Sequence, residues 1–360
     1  MIPVLHLRQG TALYGADRAV LALSSATEAP YQAIIGGIAR PGTPDALGDE
    51  ARRRGLVALR FDSARRFDVP CARAVADAAR EHGVKLLHAH DFKALFVALI
   101  ASAMVRVPVV ATFHGDTGST RALKVYETFA RFLGNFTRGV VAVSRTLEGT
   151  LRRWVRRAPV SFVPNGLPEP QPISEAERER AREQFGVRGF CVAVIGRLSS
   201  EKGHRVLFEA LRGMPATLLI AGDGPLREEL TRAAQDLDAR FLGYLDDARP
   251  VFAAADAVAM PSFTEGLPLT ALEALAFGRC LVASAVGELP ELLEGGAGVL
   301  VPAGDPKALS EALAKLQNGE VRAEIEKKAV VAARRYGAAA MASSYRALYE
   351  RALSGSKSSS

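Results

Sequence analysis

Residues 261–280 read PSFTEGLPLTALEALAFGRC, and an apolar run, Ala257-Val258-Ala259-Met260, leads into them. The run has the length and composition of a buried strand in a parallel sheet. It breaks at Pro261-Ser262, and a short loop then carries Thr264, Glu265 and Gly266. Pro268 lacks an amide hydrogen and suits a first helical turn, where that donor would have no partner. Leu269, Leu272, Glu273 and Ala276 follow at helical spacing. The pattern is a strand, a glycine turn and a helix N-terminus. Backbone N–H groups at Gly266, Leu267 and Leu269 would point out of the positive end of that helix, a setting that suits a phosphate. Eight residues at ~1.5 Å rise put Glu265 and Glu273 roughly 12 Å apart at most, about the span of a sugar–diphosphate–ribose unit. One carboxylate would accept from hexose hydroxyls and the other from ribose hydroxyls. The bland alternative is one acid that stabilises the helix dipole and one solvated acid.

Outward from this stretch, short apolar runs alternate with amphipathic segments. Val4–Leu7, Ala33–Ile38, Val57–Leu59, Leu86–His88, Val109–Thr112, Val140–Val143 and Val160–Val163 read as strands. Asp17–Thr27, Cys71–Glu81, Phe92–Val105, Leu123–Leu133 and Thr146–Arg156 read as helices between them. Such βα repetition builds a parallel sheet. Val163-Pro164-Asn165-Gly166-Leu167-Pro168-Glu169-Pro170 interrupts it with prolines and a turn, which marks a domain boundary. After a polar helix, Glu175–Gln184, a second series begins. Its strands are Cys191–Ile195, Thr217–Ala221, Arg240–Leu242, Ala257–Met260, Leu281–Ser284 and Val299–Val301. Helices fall at Gly203–Leu211, Pro225–Asp236 and Lys307–Gln317, and two more, Val321–Arg335 and Ala338–Leu353, close the chain. The expected fold is α/β, with two doubly wound Rossmann-like domains facing across a cleft. The expected division is residues 1–166 with a C-terminal helix near 338–353, then 167–337, with 354–360 a disordered tail.

Ligands of open parallel sheets sit outside the carboxyl ends of strands, so the loops there hold the candidates. Gly196–Gly203, GRLSSEKG, follows a strand, and its Arg197 fork and Lys202 point charge suit a diphosphate. The alternative is a solvated loop with two surface cations. No GxxxxGK[ST] or GxGxxG occurs. Gly222-Asp223-Gly224-Pro225 reads as a structural turn. Gly243-Tyr244-Leu245 offers backbone on which a nucleotide base could rest. Gly287-Glu288-Leu289-Pro290-Glu291 leads into another helix, for which Glu291 reads as a dipole partner. In the first half, Gly15 within Gly10–Asp17 permits close approach to a ligand, while Asp17 reads equally as a helix cap. His88-Ala89-His90 puts two imidazoles on one strand face, a metal-like pair for which spacing supplies no third ligand. Phe113-His114-Gly115-Asp116 sets a histidine at a strand end, either touching substrate or bonding a loop.

Bulk properties narrow the class. At 360 residues, two domains are the natural prior. A net charge of +7 favours anionic partners. Aromatic content of 7% and the lack of a recognised motif argue against nucleic acid. Cys71, Cys191 and Cys280 show no metal or redox spacing and read as buried, reduced thiols of a cytoplasmic protein. MIPVLHLRQG lacks a signal-peptide pattern, and the longest apolar run, Leu95–Val105, is too short to span a bilayer. Leu151-Arg152-Arg153-Trp154-Val155-Arg156-Arg157 sets a basic face beside Trp154, a docking site for anionic lipid or a solvated helix end.

Taken together, PSFTEGLPLTALEALAFG resembles the E-x7-E signature of retaining glycosyltransferases of the GT-B fold and family 4 (group 1) type. GRLSSEKG, GDGP, FLGYLDD, the Gly287–Glu291 loop and GVLVPAGDP follow in that family's order and spacing. LLHAHDFKA, VATFHGDTG, VVAVSRTL and FVPNG resemble its acceptor-side half. The resemblance implies a UDP- or GDP-sugar donor. Arg197 and Lys202 would hold its diphosphate, Gly266 and Leu267 would add amides, Glu273 would bind ribose, and Glu265 the transferred sugar. Gly15 would approach the donor and His114 would touch the sugar near the reacting carbon. It also implies retention of anomeric configuration, no metal or cofactor, and a last helix that crosses back onto the first domain. The expected acceptor is a glycan or lipid-linked molecule of bacterial surface-polysaccharide or lipopolysaccharide synthesis, reached from the cytoplasmic face of the membrane. The family's adjacent glycines and glutamate in the first loop are replaced here by Tyr14-Gly15-Ala16-Asp17. Glu288 replaces its second glycine before the Pro-Glu pair, and Cys280 a common proline. Rival readings are a nucleotide-sugar epimerase on the same fold, which would need no acceptor, and a non-catalytic nucleotide-sugar binding subunit.

Overall fold

The computed structural model describes residues 1–10, 13–65, 67–115, 121–169 and 173–355, with the side chains of 121–124 excepted. Thr11 and Ala12 of the first loop, Asp116, Pro170 and the tail from residue 356 lie outside the described residues. Two compact units emerge: Met1–Pro168 together with the segment from Ala338, and Glu169–Gly337.

The first unit alternates β1 (Ile2–Gln9), α1 (Gly15–Ser25), β2 (Tyr31–Ala39), α2 (Ala46–Arg53), β3 (Val57–Asp62), α3 (Val69–Glu81) and β4 (Leu86–Ala89). It continues with α4 (Phe92–Val105), β5 (Val109–Phe113), α5 (Arg121–Leu133), β6 (Gly139–Ala142), α6 (Arg145–Trp154) and β7 (Val160–Phe162). The strands form one parallel sheet in the order β3-β2-β1-β4-β5-β6-β7. Period-two alternation covers both faces. Leu5, Leu7, Leu87, Ala89, Val109 and Ala111 pack against α3 and α4. Val4, Leu86, Val110 and Val141 pack against Ala22 and Leu23 of α1 and against the C-terminal helix Ala338–Ser354, which contributes Met341, Tyr345, Leu348, Tyr349 and Ala352. That helix runs through Ser354, one residue into the segment expected to be disordered.

The second unit contains α7 (Glu175–Gln184), β8 (Phe190–Ile195), α8 (His204–Leu211), β9 (Ala216–Ala221), α9 (Arg227–Ala233), β10 (Ala239–Gly243) and α10 (Arg249–Ala254). There follow β11 (Ala257–Met260), α11 (Leu269–Ala276), β12 (Cys280–Ser284), α12 (Leu289–Leu292), β13 (Val299–Val301), α13 (Pro306–Lys315) and α14 (Gly319–Ala333). The strand order is β10-β9-β8-β11-β12-β13, again parallel. The polar helix α7 buries only Ala181 among its own residues. Its arginines anchor it instead: Arg178 and Arg182 reach Asp256 at 2.7 and 3.2 Å, and Arg322 lies 3.7 Å from the same carboxylate. Asp256 also accepts from the Cys191 amide at 2.8 Å, so three cations and a backbone donor offset its burial.

The three cysteines are free and buried, and burial pushes their thiols up, to about 11 for Cys71 and about 12 for Cys191 and Cys280. No helix among the described residues is long and apolar enough to cross a membrane.

Candidate active site

In each sheet the strand order reverses beside the first strand, and that switch point is where open α/β sheets leave a crevice at their carboxyl ends. In the second unit the reversal falls between β8 and β11. The loops that leave those two strands are Gly196–Gly203 and Pro261–Pro268, the two stretches that carry the predicted cations and Glu265.

Lys202 Nζ donates to Glu265 Oε1 at 2.7 Å, and Ser262 Oγ donates to the same oxygen at 2.7 Å. The Glu265 side chain is only 7% exposed against 27% for Lys202, so the lysine supplies the counter-charge that a nearly buried carboxylate requires. Arg197 lies on the same loop but turns to Glu201 at 2.6 Å, with Ser199 donating to that carboxylate at 2.6 Å. Burial opposes ionisation of Glu201, but the hydrogen bonds from Ser199 and Arg197 outweigh it and hold the carboxyl down at about 2. Both predicted diphosphate ligands therefore rest on internal carboxylates, and Arg197 remains about half exposed, at 48%.

Glycines lock these loops together. A β-carbon at Gly203 would lie 2.0 Å from the Pro261 carbonyl oxygen, one at Gly222 1.9 Å from that of Gly196, and one at Gly287 2.3 Å from that of Glu265. The Phe263 amide donates to the Glu201 carbonyl at 2.8 Å, and the Glu288 amide to that of Gly266 at 3.1 Å. The GDGP turn and the Gly287–Glu291 loop thus brace the site from either side. Gly203 also has φ +66. Gly203→Ala is expected to destabilise the chain by about 2–5 kcal/mol, left-handed strain plus displacement of a backbone carbonyl. A denaturant midpoint that does not move would contradict this.

The remaining predicted residues of this unit spread outward. Gly266 and Leu267 precede α11, whose N-cap is Pro268, and Glu273 is half-buried inside it. Tyr244, 41% exposed, follows the edge strand β10. Leu245 turns its side chain into the apolar cluster around Val251.

In the first unit the switch point lies between β1 and β4. Gly15 opens α1, and a β-carbon there would meet nothing within 4 Å among the described residues. The packing of the described residues therefore does not demand glycine at this position. Asp17 is more than a cap: it is 1% exposed, accepts from the Tyr14 amide at 3.0 Å and pairs with Arg8 at 2.5 Å. His88 and His90 share a face, ring centroids 3.9 Å apart. The third imidazole that spacing could not supply is His6 on β1, and one nitrogen of each of the three rings lies within 4.8 Å of the others. Hydrogen bonds account for the nitrogens of His88 and His90. His88 bonds Tyr349 and Thr112, each at 2.8 Å, and His90 bonds His6 at 3.1 Å and His114 at 3.2 Å. Burial lowers all four rings, His6 and His114 to about 3, with the Arg8 charge adding to the effect on His114. His6 and Arg8 were not singled out from sequence, although a histidine inside the apolar run PVLHL is itself a sign of an engaged ring.

The basic stretch differs from its expected form. Helix α6 ends at Trp154, and Val155 is extended, so Arg156 and Arg157 lie beyond the helix rather than on its face. Asn135 ties this end to its neighbour: its amide donates to the carbonyls of Phe132 and Trp154, and its oxygen accepts from the Arg156 and Arg157 amides. Exposed Phe129, Phe132, Phe136 and Trp154 accompany the arginines.

Comparison with known proteins gives a consistent picture. A family model described as glycosyl transferases group 1 matches residues 189–318, and one described as glycosyltransferase family 4 matches residues 15–169. A phosphatidyl-myo-inositol mannosyltransferase of Mycobacterium leprae is 34% identical over 289 residues, 76% of this chain and 75% of that protein. A D-inositol 3-phosphate glycosyltransferase of Corynebacterium glutamicum is 28% identical over 305 residues, 74% of this chain and 72% of that one. Among solved structures, Anabaena Alr3699/HepE in complex with UDP-glucose superposes with a TM-score of 0.85 at 24% identity, covering 97% of this chain and 100% of that one. These neighbours share the GT-B fold, two parallel α/β sheets with their helices.

Proposed function

The chain belongs to the group 1, family 4 glycosyltransferases, and from that premise we propose that it moves a hexosyl group, with retention, from a UDP- or GDP-sugar to a glycan or lipid-linked acceptor. The observation that carries this reading is the pairing of Lys202 with the nearly buried Glu265 at a switch point braced by three glycines. Glycosyl transfer passes through an oxocarbenium-like state with a departing diphosphate. Arg197 and Lys202 exchange their internal carboxylates for that diphosphate and meet its growing charge, joined by the Gly266 and Leu267 amides ahead of α11. Glu265 accepts from hydroxyls of the transferred sugar, and Glu273 from those of the ribose. The base rests beside Tyr244 and Leu245. Gly15 and His114 keep the roles of donor approach and sugar contact. The departing diphosphate itself takes the acceptor's proton, and the reaction uses no metal or cofactor.

Two relatives, one a phosphatidyl-myo-inositol mannosyltransferase and the other a D-inositol 3-phosphate glycosyltransferase, make a mannosyl donor and an inositol-phosphate acceptor the first pair to try. The UDP-glucose complex of a structural neighbour adds a second donor. A thermal-shift screen of nucleotide-sugars is expected to single out one donor, because binding at 100 times Kd stabilises by about 2.7 kcal/mol. Free nucleotide should then appear only when acceptor is added. Conversion of the sugar without acceptor would replace this reading with an epimerase, and binding without release would replace it with a binding subunit.

The arginines at the end of α6, with Trp154 and the neighbouring phenylalanines, support peripheral docking on an anionic membrane surface from the cytoplasmic side. Flotation with vesicles containing anionic lipid is expected to carry the protein at low salt and to lose it as salt rises. Equal flotation with neutral vesicles, or none with either, would remove this part.

A further inference from the structure

Three imidazoles form a continuous chain inside the first unit. His6 Nδ1 lies 3.1 Å from His90 Nε2, and His90 Nδ1 lies 3.2 Å from His114 Nε2. The two nitrogens left over, His6 Nε2 and His114 Nδ1, are buried and have no partner among the described residues. They are the two ends of the chain. His90 turns one nitrogen to each neighbour, so the three rings do not converge on one point as metal ligands would.

Neutral imidazole carries one ring hydrogen, and each link in the chain needs one donor and one acceptor. Only two arrangements satisfy both links. With every hydrogen on Nδ1, His6 donates to His90, His90 donates to His114, and His114 presents an Nδ1–H at its free end. With every hydrogen on Nε2, the donors run the other way and the unmatched N–H sits on His6.

The ends differ in what they can reach. His6 is 0% exposed, whereas His114 is half-buried at the carboxyl end of β5. An N–H stranded on His6 costs the desolvation of a buried donor. His114 Nδ1 is itself buried, but its residue is half-buried beside the exposed Gly115, so an N–H there is the one that an entering oxygen can meet. Passing from one arrangement to the other also requires a proton to arrive at His6 Nε2 in the closed interior.

We propose that His6 and His90 are positioning residues that lock His114 in the Nδ1–H tautomer, so that it acts as a hydrogen-bond donor to an oxygen of the transferred sugar. The sugar contact rests on the functional reading above, but the tautomer is a property of the free protein. The groups that face the chain are consistent with neutral rings. From β1, Arg8 donates to the His90 carbonyl at 3.1 Å and is itself paired with Asp17 of α1. Asp91 spends its carboxylate on the Gln9 and Ala94 amides. From the C-terminal helix, the Tyr349 and Tyr345 hydroxyls bond His88 and Thr112. Burial keeps the imidazolium forms out of reach near neutral pH.

The test is a two-bond ¹H–¹⁵N imidazole spectrum of the whole, ligand-free protein at neutral pH, with assignments from single histidine substitutions. His114 is expected to show one tautomer, protonated at Nδ1. In His90→Phe, or in His6→Phe should the first variant not fold, His114 is expected to become a mixture of tautomers. A wild-type His114 protonated at Nε2, or already mixed, overturns the proposal without any variant. A pure Nδ1–H pattern that survives loss of both neighbours overturns it too. Because no donor or acceptor is present, failure here leaves the transfer reaction standing. Full turnover in His114→Ala would remove the sugar contact while leaving the tautomer result intact.

Discussion

Glu265→Gln should release nucleotide from the donor on the order of 10²–10³ times more slowly than the parent chain, the range for removing one preorganised charged group. The change keeps the shape of the side chain and leaves Ser262 a partner, so folding should be little affected. Lys202→Ala should show a comparable loss of turnover with an added loss of stability. It strips the cation from a carboxylate that is 7% exposed, and removing one partner of a buried pair leaves the other charge uncompensated. The two variants together separate chemistry from folding. If both turn over at the parental rate, neither residue acts on the donor, and the switch-point loops of the second unit are not the active site.

Acid should unfold the chain well above the carboxylate range. His6 and His114 are held at about 3 and His204 at about 4, each by burial, and His88 and His90 are also held well below the ordinary 6.5. An unfolded chain takes up these protons near pH 6.5, whereas the folded chain refuses them until far lower. Between those values the unfolded state binds more protons, so stability rises with pH and is lost as pH falls through this window. Each such histidine removes about 1.4 kcal/mol per pH unit. Several acting together exhaust a margin of about 5–15 kcal/mol before pH 4. Melting temperatures by circular dichroism should be flat above about pH 7 and fall steeply from pH 6 to 4. An unchanged melting temperature at pH 4.5 would mean that the buried rings accept protons at no cost.

The parallel sheets were legible because each strand is a short apolar run bounded by turn residues. Strand ends fall within two residues of their expected places except that of β3, which runs three residues past Leu59 to Asp62. Two helices were not. Helix α2 buries only Leu47, Gly48 and Ala51, too few positions for a helical period to stand out among its charges. Helix α10, RPVFAA, runs into the apolar residues of β11, where periodicity cannot separate a buried helix from a buried strand. At the candidate site, the charged residues were legible because they follow strands. The bracing was not: that only glycine fits at 203, because the Pro261 carbonyl abuts it, is a fact about two loops 58 residues apart. The histidine chain was hidden for the same reason, since β1, β4 and β5 bring together rings that the sequence separates by 84 and 24 residues.

The helix Ala338–Ser354 covers one face of the first sheet, yet it is made after every strand of that sheet. A ribosome delivers Val4, Leu86, Val110 and Val141 long before Tyr345, Leu348 and Tyr349 exist to cover them. The amino-terminal half must therefore wait, with a greasy flank open to solvent and to chaperones, while the uninterrupted second half completes itself. A fragment ending near Pro168 would keep that flank open permanently, so its natural fate is association rather than independent folding.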